Sequence, residues 1–176
     1  MRTHMWLTLL LTLGLAACSI TGPAGALEIV KDGKPVAVVV VKEKASSDAK
    51  AAAVLVSWIK KISDAELTVT QQAPADGPAI YVGQAAVEAG LKLDGIKSRS
   101  SEGGRVLTEG ERVLIAGQNA TATLKAVCSF LEELGCRYFL DHEMGEVYPR
   151  RKTVAVGTLD ITQKPGFVYR RIWGST

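Results

Sequence analysis

Apolar residues in the first half of the chain form a β-prone run and then a helical stripe. Residues 36–41 are β-branched or apolar on both faces, which predicts an inner strand covered on both sides. Apolar positions then recur at the offsets of one helix face, after a group of polar N-cap candidates. The candidates are Ser46, Ser47 and Asp48, and the stripe comprises Ala51, Val54, Leu55, Trp58, Ile59 and Ile62.

The next segments are shorter, and they again predict strands followed by a helix. Residues 67–70 are β-prone, and residues 79–83 form a short apolar run that predicts a strand. A loop rich in proline separates the two. A brief helix is predicted over residues 85–89, and it ends at Gly90 because glycine favours helix termination.

A hairpin and a second long helix are predicted in the second half. Residues 105–108 and 111–116 read as strands around a tight turn at Glu109 and Gly110, since glycine supplies the backbone angles of such turns. The helix that follows is predicted to end at Gly135. Its cap candidates are Asn119 and Thr121, and its stripe comprises Leu124, Val127, Cys128, Leu131 and Leu134.

The remaining apolar segments complete the predicted fold. Residues 137–140 return as a strand, and residues 147–148 and 154–156 are further extended pieces. Helices separated by short strands predict an α/β fold of two layers, in which two main helices pack on a mixed β-sheet. The segment 165–176 is unusually apolar for a free tail, so either it docks on the domain or the chain is the front of a longer protein.

The N-terminus has the pattern of a secretory signal. A basic start precedes an apolar run over residues 5–15, which is too short for a stable transmembrane helix. The residues before Cys18 resemble the lipobox of bacterial lipoproteins, which implies a lipidated Cys18 at the mature N-terminus. Residues 1–18 are then the signal peptide and lipobox, and residues 19–26 are a flexible tether. An ordinary secretory peptide with a chance cysteine is the alternative.

This resemblance implies an exported protein held at a bacterial membrane by its lipid, in the periplasm or at the cell surface. Ser19 occupies the position where an aspartate often retains lipoproteins at the inner membrane. The outer membrane is therefore favoured in a Gram-negative host.

Composition and charge narrow the function further. The chain has 176 residues, is 47% hydrophobic and 22% charged, and carries a formal net charge of +3. These values are typical of one globular domain. Basic residues are not gathered on a long run, so no nucleic-acid partner is expected. A catalytic (β/α)8 barrel needs roughly 250 residues and does not fit within this length.

Candidate catalytic groups are few. His142 is the only histidine after signal removal, and its neighbours Asp141, Glu143 and Glu146 could join it at a metal. A surface turn is favoured, because zinc sites gather ligands from more than one segment. Glu132 and Glu133 fit a solvated helix face better than a glycosidase pair. We therefore predict no catalytic residue, metal or cofactor, and keep a hydrolase using His142 as a weaker alternative.

Two further features have structural readings. Backbone N–H groups after Gly117 could hold an anion at the start of the second helix, but capping by Asn119 or Thr121 is favoured there.

Cys128 lies two turns inside that helix, so its Cα should be roughly 10 Å from that of Cys136, which is too far for a disulfide. Both cysteines are predicted to be buried free thiols.

Several motifs, in this order, resemble the noncatalytic N-terminal α/β domain of family 67 α-glucuronidases, family 20 β-N-acetylhexosaminidases and related bacterial proteins. The resemblance extends over about residues 28–173. The motifs are ISDAEL at 62–67, IYVG at 80–83, VLIAG at 113–117, FLEELGCRYF at 130–139, GEVYP at 145–149 and PGFVYR at 165–170.

The resemblance implies that residues 27–164 are an accessory domain and that residues 165–176 begin the link to a catalytic barrel in cis. The barrel would carry the catalytic carboxylates, so this chain alone would not hydrolyse a glycoside. Arg170 matches an arginine that contacts sugar hydroxyls in family 20 enzymes, although Arg171 follows where that family usually has glycine. A surface cation or a barrel-docking residue is the equal reading of Arg170. The alternative function is a freestanding lipoprotein module that binds carbohydrate or a partner protein.

Overall fold

The computed structural model describes residues 25–140 and 142–168. Helices α1 and α3 are long, whereas α2 has little more than one turn. The helices are α1 (Ser47–Ser63), α2 (Gln84–Glu88) and α3 (Ala120–Glu133), with a short 3-10 helix at Glu143–Gly145. The strands are β1 (Leu27–Lys31), β2 (Lys34–Pro35), β3 (Val38–Val40), β4 (Val69–Thr70), β5 (Ala79–Val82), β6 (Gly104–Glu109), β7 (Arg112–Gly117), β8 (Arg137–Tyr138), β9 (Glu146–Val147), β10 (Val154–Val156) and β11 (Asp160–Gln163).

A six-stranded mixed sheet organises the domain, in the order β11-β6-β7-β5-β3-β4. Strands β4, β3, β5 and β7 are parallel, and β6 and β11 add to them in antiparallel fashion. Two smaller sheets accompany it, β10-β1-β2 and β8-β9. The predicted α/β fold, with a mixed sheet and helices packed on it, is confirmed.

The two long helices cover one face of this sheet and form the main core with it. Leu55 of α1, Phe130 of α3 and Ile115 of β7 belong to one buried cluster. The polar caps are those that the sequence predicts: Ser46 Oγ accepts a hydrogen bond from Ala49 N at 3.2 Å, and Asn119 Oδ1 accepts one from Ala122 N at 2.9 Å. Such caps satisfy N–H groups that have no partner within the helix.

The opposite face of the sheet has a smaller apolar cluster. Leu114 and Ala116 of β7 point to this side and pack with Ala86 of α2 and with Leu91. Leu114 and Ile115 are neighbours in one strand and lie in different clusters, as the alternation of side chains in a strand requires. Strand β7 is therefore buried on both faces.

Several details differ from the sequence predictions. Strands β1, β2 and β11 lie where the pattern predicts none. Glu109 pairs with Arg112, so Gly110 and Glu111 form the hairpin turn, one residue later than predicted. The buried face of α3 is rotated from the predicted stripe toward Phe130, and Leu124 is exposed.

The prediction for the two cysteines was half right. Cys128 and Cys136 are both free thiols, and Cys136 is buried. Cys128 is exposed, so the prediction that it is buried was wrong. The reason is the rotation of α3, whose buried side includes Val127 and Leu131 but leaves Cys128 at the surface.

The helix starts of α1 and α2 meet at the carboxyl ends of β3 and β5. Asp48 Oδ2 accepts a hydrogen bond from Gln84 N at 2.9 Å. Gly83, which directly precedes Gln84, has a φ of +67°. A Cβ at Gly83 would lie 2.0–2.3 Å from the atoms of the Asp48 carboxylate. Glycine is thus required there both by its backbone conformation and by the close approach of Asp48.

Within residues 25–140 and 142–168, no helix combines the length and the apolar character that a membrane span needs.

Candidate functional site

Two of the predicted functional residues lie outside the described part of the chain. These are Cys18, the predicted lipidation site, and Arg170, the predicted sugar contact. Asp141, one of the acidic neighbours of His142, also lies outside it. Lipidation and sugar contact therefore stay predictions.

His142 has a local structural role. Its Nδ1 accepts a hydrogen bond from Met144 N at 3.1 Å and so caps the 3-10 helix. Glu146 points elsewhere and forms an ion pair with Lys61 of α1. Among the described residues, no three His, Cys, Asp or Glu side chains gather as metal ligands do.

Other polar candidates are accounted for by the local structure. At the start of α3, Gly117 N donates to Thr123 Oγ1 at 3.2 Å, and Asn119 caps the helix. The N–H groups of Gly117 and Ala122, at the place considered for an anion, therefore have partners in the chain itself. Glu132 and Glu133 are exposed near the end of α3. Their exposure fits the solvated helix face that the sequence predicts.

Neither described thiol is activated as a nucleophile. Burial raises the pKa of Cys136, and this effect outweighs the opposing influence of Arg151 and Arg137. Desolvation on α3 and the carboxylate of Glu132 raise the pKa of Cys128. A raised pKa reduces the thiolate fraction, and the thiolate is the reactive form. The described thiols thus lie in surroundings that favour their protonated form.

The most distinctive surface lies after α3, in a hairpin formed by β8, the 3-10 helix and β9. Arg137 pairs with Val147 and Tyr138 with Glu146, and Phe139 N donates to Gly145 O at 2.8 Å. Gly145 is buried against the turn. A Cβ at Gly145 would lie 2.4 Å from the backbone nitrogen of Leu140, so only glycine allows the two sides of the hairpin to approach this closely.

The base of the hairpin is fixed to the end of α3. Arg137 Nη1 donates to the carbonyl oxygens of Glu132 at 2.8 Å and of Cys136 at 2.6 Å. These contacts satisfy carbonyl groups at the helix end. Arg151 adds a second link, because its Nη2 donates to Leu134 O at 3.2 Å. The hairpin is therefore held at its base by the backbone of the helix terminus.

The hairpin presents large apolar side chains to solvent. Five of them are between 51% and 84% exposed, and Met144 is the most exposed. We call this group the apolar patch; it comprises Tyr138, Phe139, Leu140, Met144 and Val147. The sequence predicts a strand over residues 137–140, whereas the strand ends at Tyr138 in the structure, and Phe139 and Leu140 lie exposed beyond it.

Aromatic contacts join the hairpin to α1. The ring of Trp58 meets that of Tyr138 edge to face with centroids 6.5 Å apart, and that of Tyr148 at 6.0 Å. The ammonium of Lys61 lies 5.0 Å from the centroid of the Trp58 ring. Sequence reasoning placed Trp58 on the core stripe, and the structure places it at the edge of the core, partly buried.

This arrangement supports association rather than covalent chemistry. The apolar patch would release ordered water and gain free energy if another apolar surface covered it. The described residues around it supply structural hydrogen bonds and an ion pair. The signal available in the sequence was the run of three large apolar residues, Tyr138 to Leu140, beside a turn.

No protein-family model matches the chain, and no curated protein matches its sequence. Solved structures do match. The fold is similar to part of two glycoside hydrolases.

One of these structures is a family GH115 4-O-methyl-α-glucuronidase with specificity for decorated arabinogalactans. It matches with a TM-score of 0.57 and 15% identity. The second is the N-acetyl-β-hexosaminidase of Streptomyces plicatus, with a TM-score of 0.53 and 13% identity. At these identities the likeness shows the fold alone. The specific resemblance to family 67 stays a prediction.

Each match covers most of this chain but only a small part of the enzyme. The two matches cover 82% and 83% of this chain but only 19% and 24% of the two enzymes. The chain thus corresponds in size and fold to a small part of each glycoside hydrolase.

Proposed function

We propose that this chain is a noncatalytic N-terminal accessory domain of a glycoside-hydrolase-like protein. In this proposal Cys18 carries a lipid that anchors the protein to a bacterial membrane, and residues 165–176 lead into a downstream catalytic barrel. The domain itself holds no catalytic residue, metal or cofactor. The parent protein acts in carbohydrate metabolism, as an α-glucuronidase or a β-N-acetylhexosaminidase-like enzyme.

The observation that carries this proposal is the asymmetric coverage of the structural matches. Nearly all of the described domain is used, whereas most of each enzyme lies outside the match. The chemistry of the described residues supports the same conclusion. His142 caps a 3-10 helix, and the thiols of Cys128 and Cys136 have raised pKa values.

The deciding experiment is the mass of the native polypeptide in a membrane fraction of the source organism, using an antibody raised against residues 27–165. We expect a band far above the 18.7 kDa of this chain. A band close to that mass would overturn the accessory-domain proposal. Metabolic labelling with a radioactive fatty acid, with Cys18→Ser as the control, tests the lipid anchor separately.

The second candidate is a freestanding lipoprotein module that binds carbohydrate or a partner protein. The exposed apolar patch favours this second function, because an exposed apolar patch on a small domain marks a binding surface. A native mass near that of the chain would place this function first.

Arg170 is a separate proposal within the first function. If Arg170 contacts sugar hydroxyls, Arg170→Ala in the full-length active protein should raise KM for the glycoside substrate. An unchanged KM would exclude the contact.

A further inference from the structure

The apolar patch is the strongest unexplained feature among the described residues. Its side chains are more exposed than those of Val36, Val87 and Leu124, which are between 37% and 41% exposed and lie singly on other elements. Scattered exposed apolar residues are ordinary in soluble proteins. Five within one hairpin are not, because their removal from water together would contribute strongly to binding.

We propose that the apolar patch docks in cis against the downstream domain of the same polypeptide. This inference rests on the proposed function, since it requires that a domain follows this one. It adds the surface through which the accessory domain contacts its neighbour, and it specifies a partner surface that is apolar at its centre.

The path of the chain supports an occupant in cis. Pro165 lines a groove with Glu132, near the end of α3. The carbonyl of Glu132 accepts the hydrogen bond from Arg137 at the base of the hairpin. The last described residues, Phe167 and Val168, are themselves exposed. A domain attached just beyond them would emerge within reach of the hairpin, since each extended residue adds roughly 3.5 Å.

Charged side chains of both signs lie beside the hairpin. Arg137, Arg150 and Arg151 are exposed around its base, and Arg150 lies over the ring of Tyr148 at 5.8 Å. Lys61 pairs with Glu146, and the exposed acidic side chains near the hairpin are Glu143 in the turn and Glu132 and Glu133 at the end of α3. Arginine beside aromatic residues is typical of protein interfaces, where carboxylates of the partner meet the guanidinium groups.

The chemistry of the patch favours protein over carbohydrate as the occupant. Sugar sites combine an open aromatic face with several hydrogen-bonding groups. The patch exposes the rings of Tyr138 and Phe139, and the neighbouring Trp58 ring is engaged by two tyrosine rings and by Lys61. Leu140, Met144 and Val147 carry no donor or acceptor for hydroxyl groups beyond the weak acceptor sulfur of methionine. An apolar protein surface suits these side chains better.

Oxidation of Met144 by dilute hydrogen peroxide tests the docking in the native polypeptide. Met144 is the only methionine after residue 5, and tryptic peptide 138–150 reports it by mass. We expect oxidation roughly tenfold slower in the native polypeptide than after denaturation, because docking would exclude the reagent. Light scattering on the same sample establishes whether the polypeptide is a monomer.

Each outcome is decisive. Slow oxidation in a long, monomeric polypeptide supports docking in cis. Oxidation at the denatured rate in a long polypeptide overturns the docking but leaves the accessory function intact. Slow oxidation in a dimer, reversed on dilution, assigns the patch to a second copy and overturns the cis proposal. A short native polypeptide overturns the proposed function and the docking together, and the mass identifies that case.

A pair of variants provides an independent measurement. Met144→Glu places a charge within the patch, whereas the control Leu124→Glu places one on the exposed side of α3. In the full polypeptide we expect Met144→Glu to accelerate proteolytic separation of the two domains by at least about tenfold. The control should leave the rate unchanged. Equal rates for both variants and the unmodified protein would contradict the proposal.

Discussion

Phe130 and Phe139 stand at the two ends of one sequence motif, yet they have opposite environments. Phe130 is 0% exposed at the centre of the core between α3 and the sheet, whereas Phe139 is 70% exposed on the hairpin. Gly135, with a φ of +93°, ends the helix between them and redirects the chain. The comparison teaches that one sequence motif can be divided between core and surface at a single turn.

The largest expected difference between the two regions comes from truncating each phenylalanine to alanine. Phe130→Ala should lower the free energy of unfolding by about 3–5 kcal/mol, because it opens a cavity in a packed core. Phe139→Ala should change it by less than about 0.5 kcal/mol. Urea denaturation of the purified 176-residue chain measures both values. Equal losses would mean that Phe139 is also packed against this domain.

The second test addresses the turn of the hairpin. Gly145→Ala should destabilise the hairpin by about 1–3 kcal/mol, because its Cβ would meet the Leu140 backbone at 2.4 Å. Gly157→Ala is the matched control, since a Cβ there meets no atom within 4 Å. Hydrogen exchange should show faster opening of residues 137–147 only in the first variant. Protection equal to that of the control would contradict the close approach.

The smallest expected effect concerns an exposed polar contact away from both regions. Arg105 binds both carboxylate oxygens of Asp160, at 2.8 and 2.9 Å, and joins β6 to β11. The hydrogen bonds from Arg105 lower the pKa of Asp160 below its ordinary value. The stabilisation is therefore present above the unfolded pKa of about 3.9 and is lost as the pH falls through the lower folded pKa.

Asp160→Asn should remove this pH dependence. The urea midpoint of the variant should lie slightly below that of the unmodified chain at about pH 6, and the difference should shrink as the pH falls below the unfolded pKa of about 3.9. A constant difference across this range would show that the charge of Asp160 does not contribute.

The sequence predicted the helices well because their signals are local. Ser46 and Asn119 are small polar caps directly before apolar periodic segments, and Gly135 marks the end of α3. The parallel strands β3 and β5 were also predicted, since their runs are apolar on both faces. Within α3 the exact buried face was harder to assign. Leu124 and Cys128 follow helical spacing, but the contacts of α3 with α1 and the sheet decide which side is covered.

Strands at sheet edges escaped prediction because their stability depends on distant partners. Strand β11 is held by β6, and its side chains are partly or fully exposed. Strand β1 pairs with β10, from the other end of the domain. The exposure of Phe139 and Leu140 depends likewise on how the hairpin docks on α3 and Trp58. The sequence motif carries the apolar character but no information on which side of the turn is covered.

The contact between Asp48 and Gln84 determines what the sheet can hold. Strand β4, which follows β3 in the chain, lies on one side of β3, and β5, which follows β4, lies on the other side. The direction in which strands are added to the sheet therefore reverses between β3 and β5. Open α/β sheets commonly bind anionic ligands in the crevice at such a reversal, on free amide groups beyond the carboxyl ends of the strands. Here the carboxylate of Asp48 occupies that position on the amide of Gln84. The domain therefore supplies its own anion at this crevice, and the contact joins the first turns of α1 and α2.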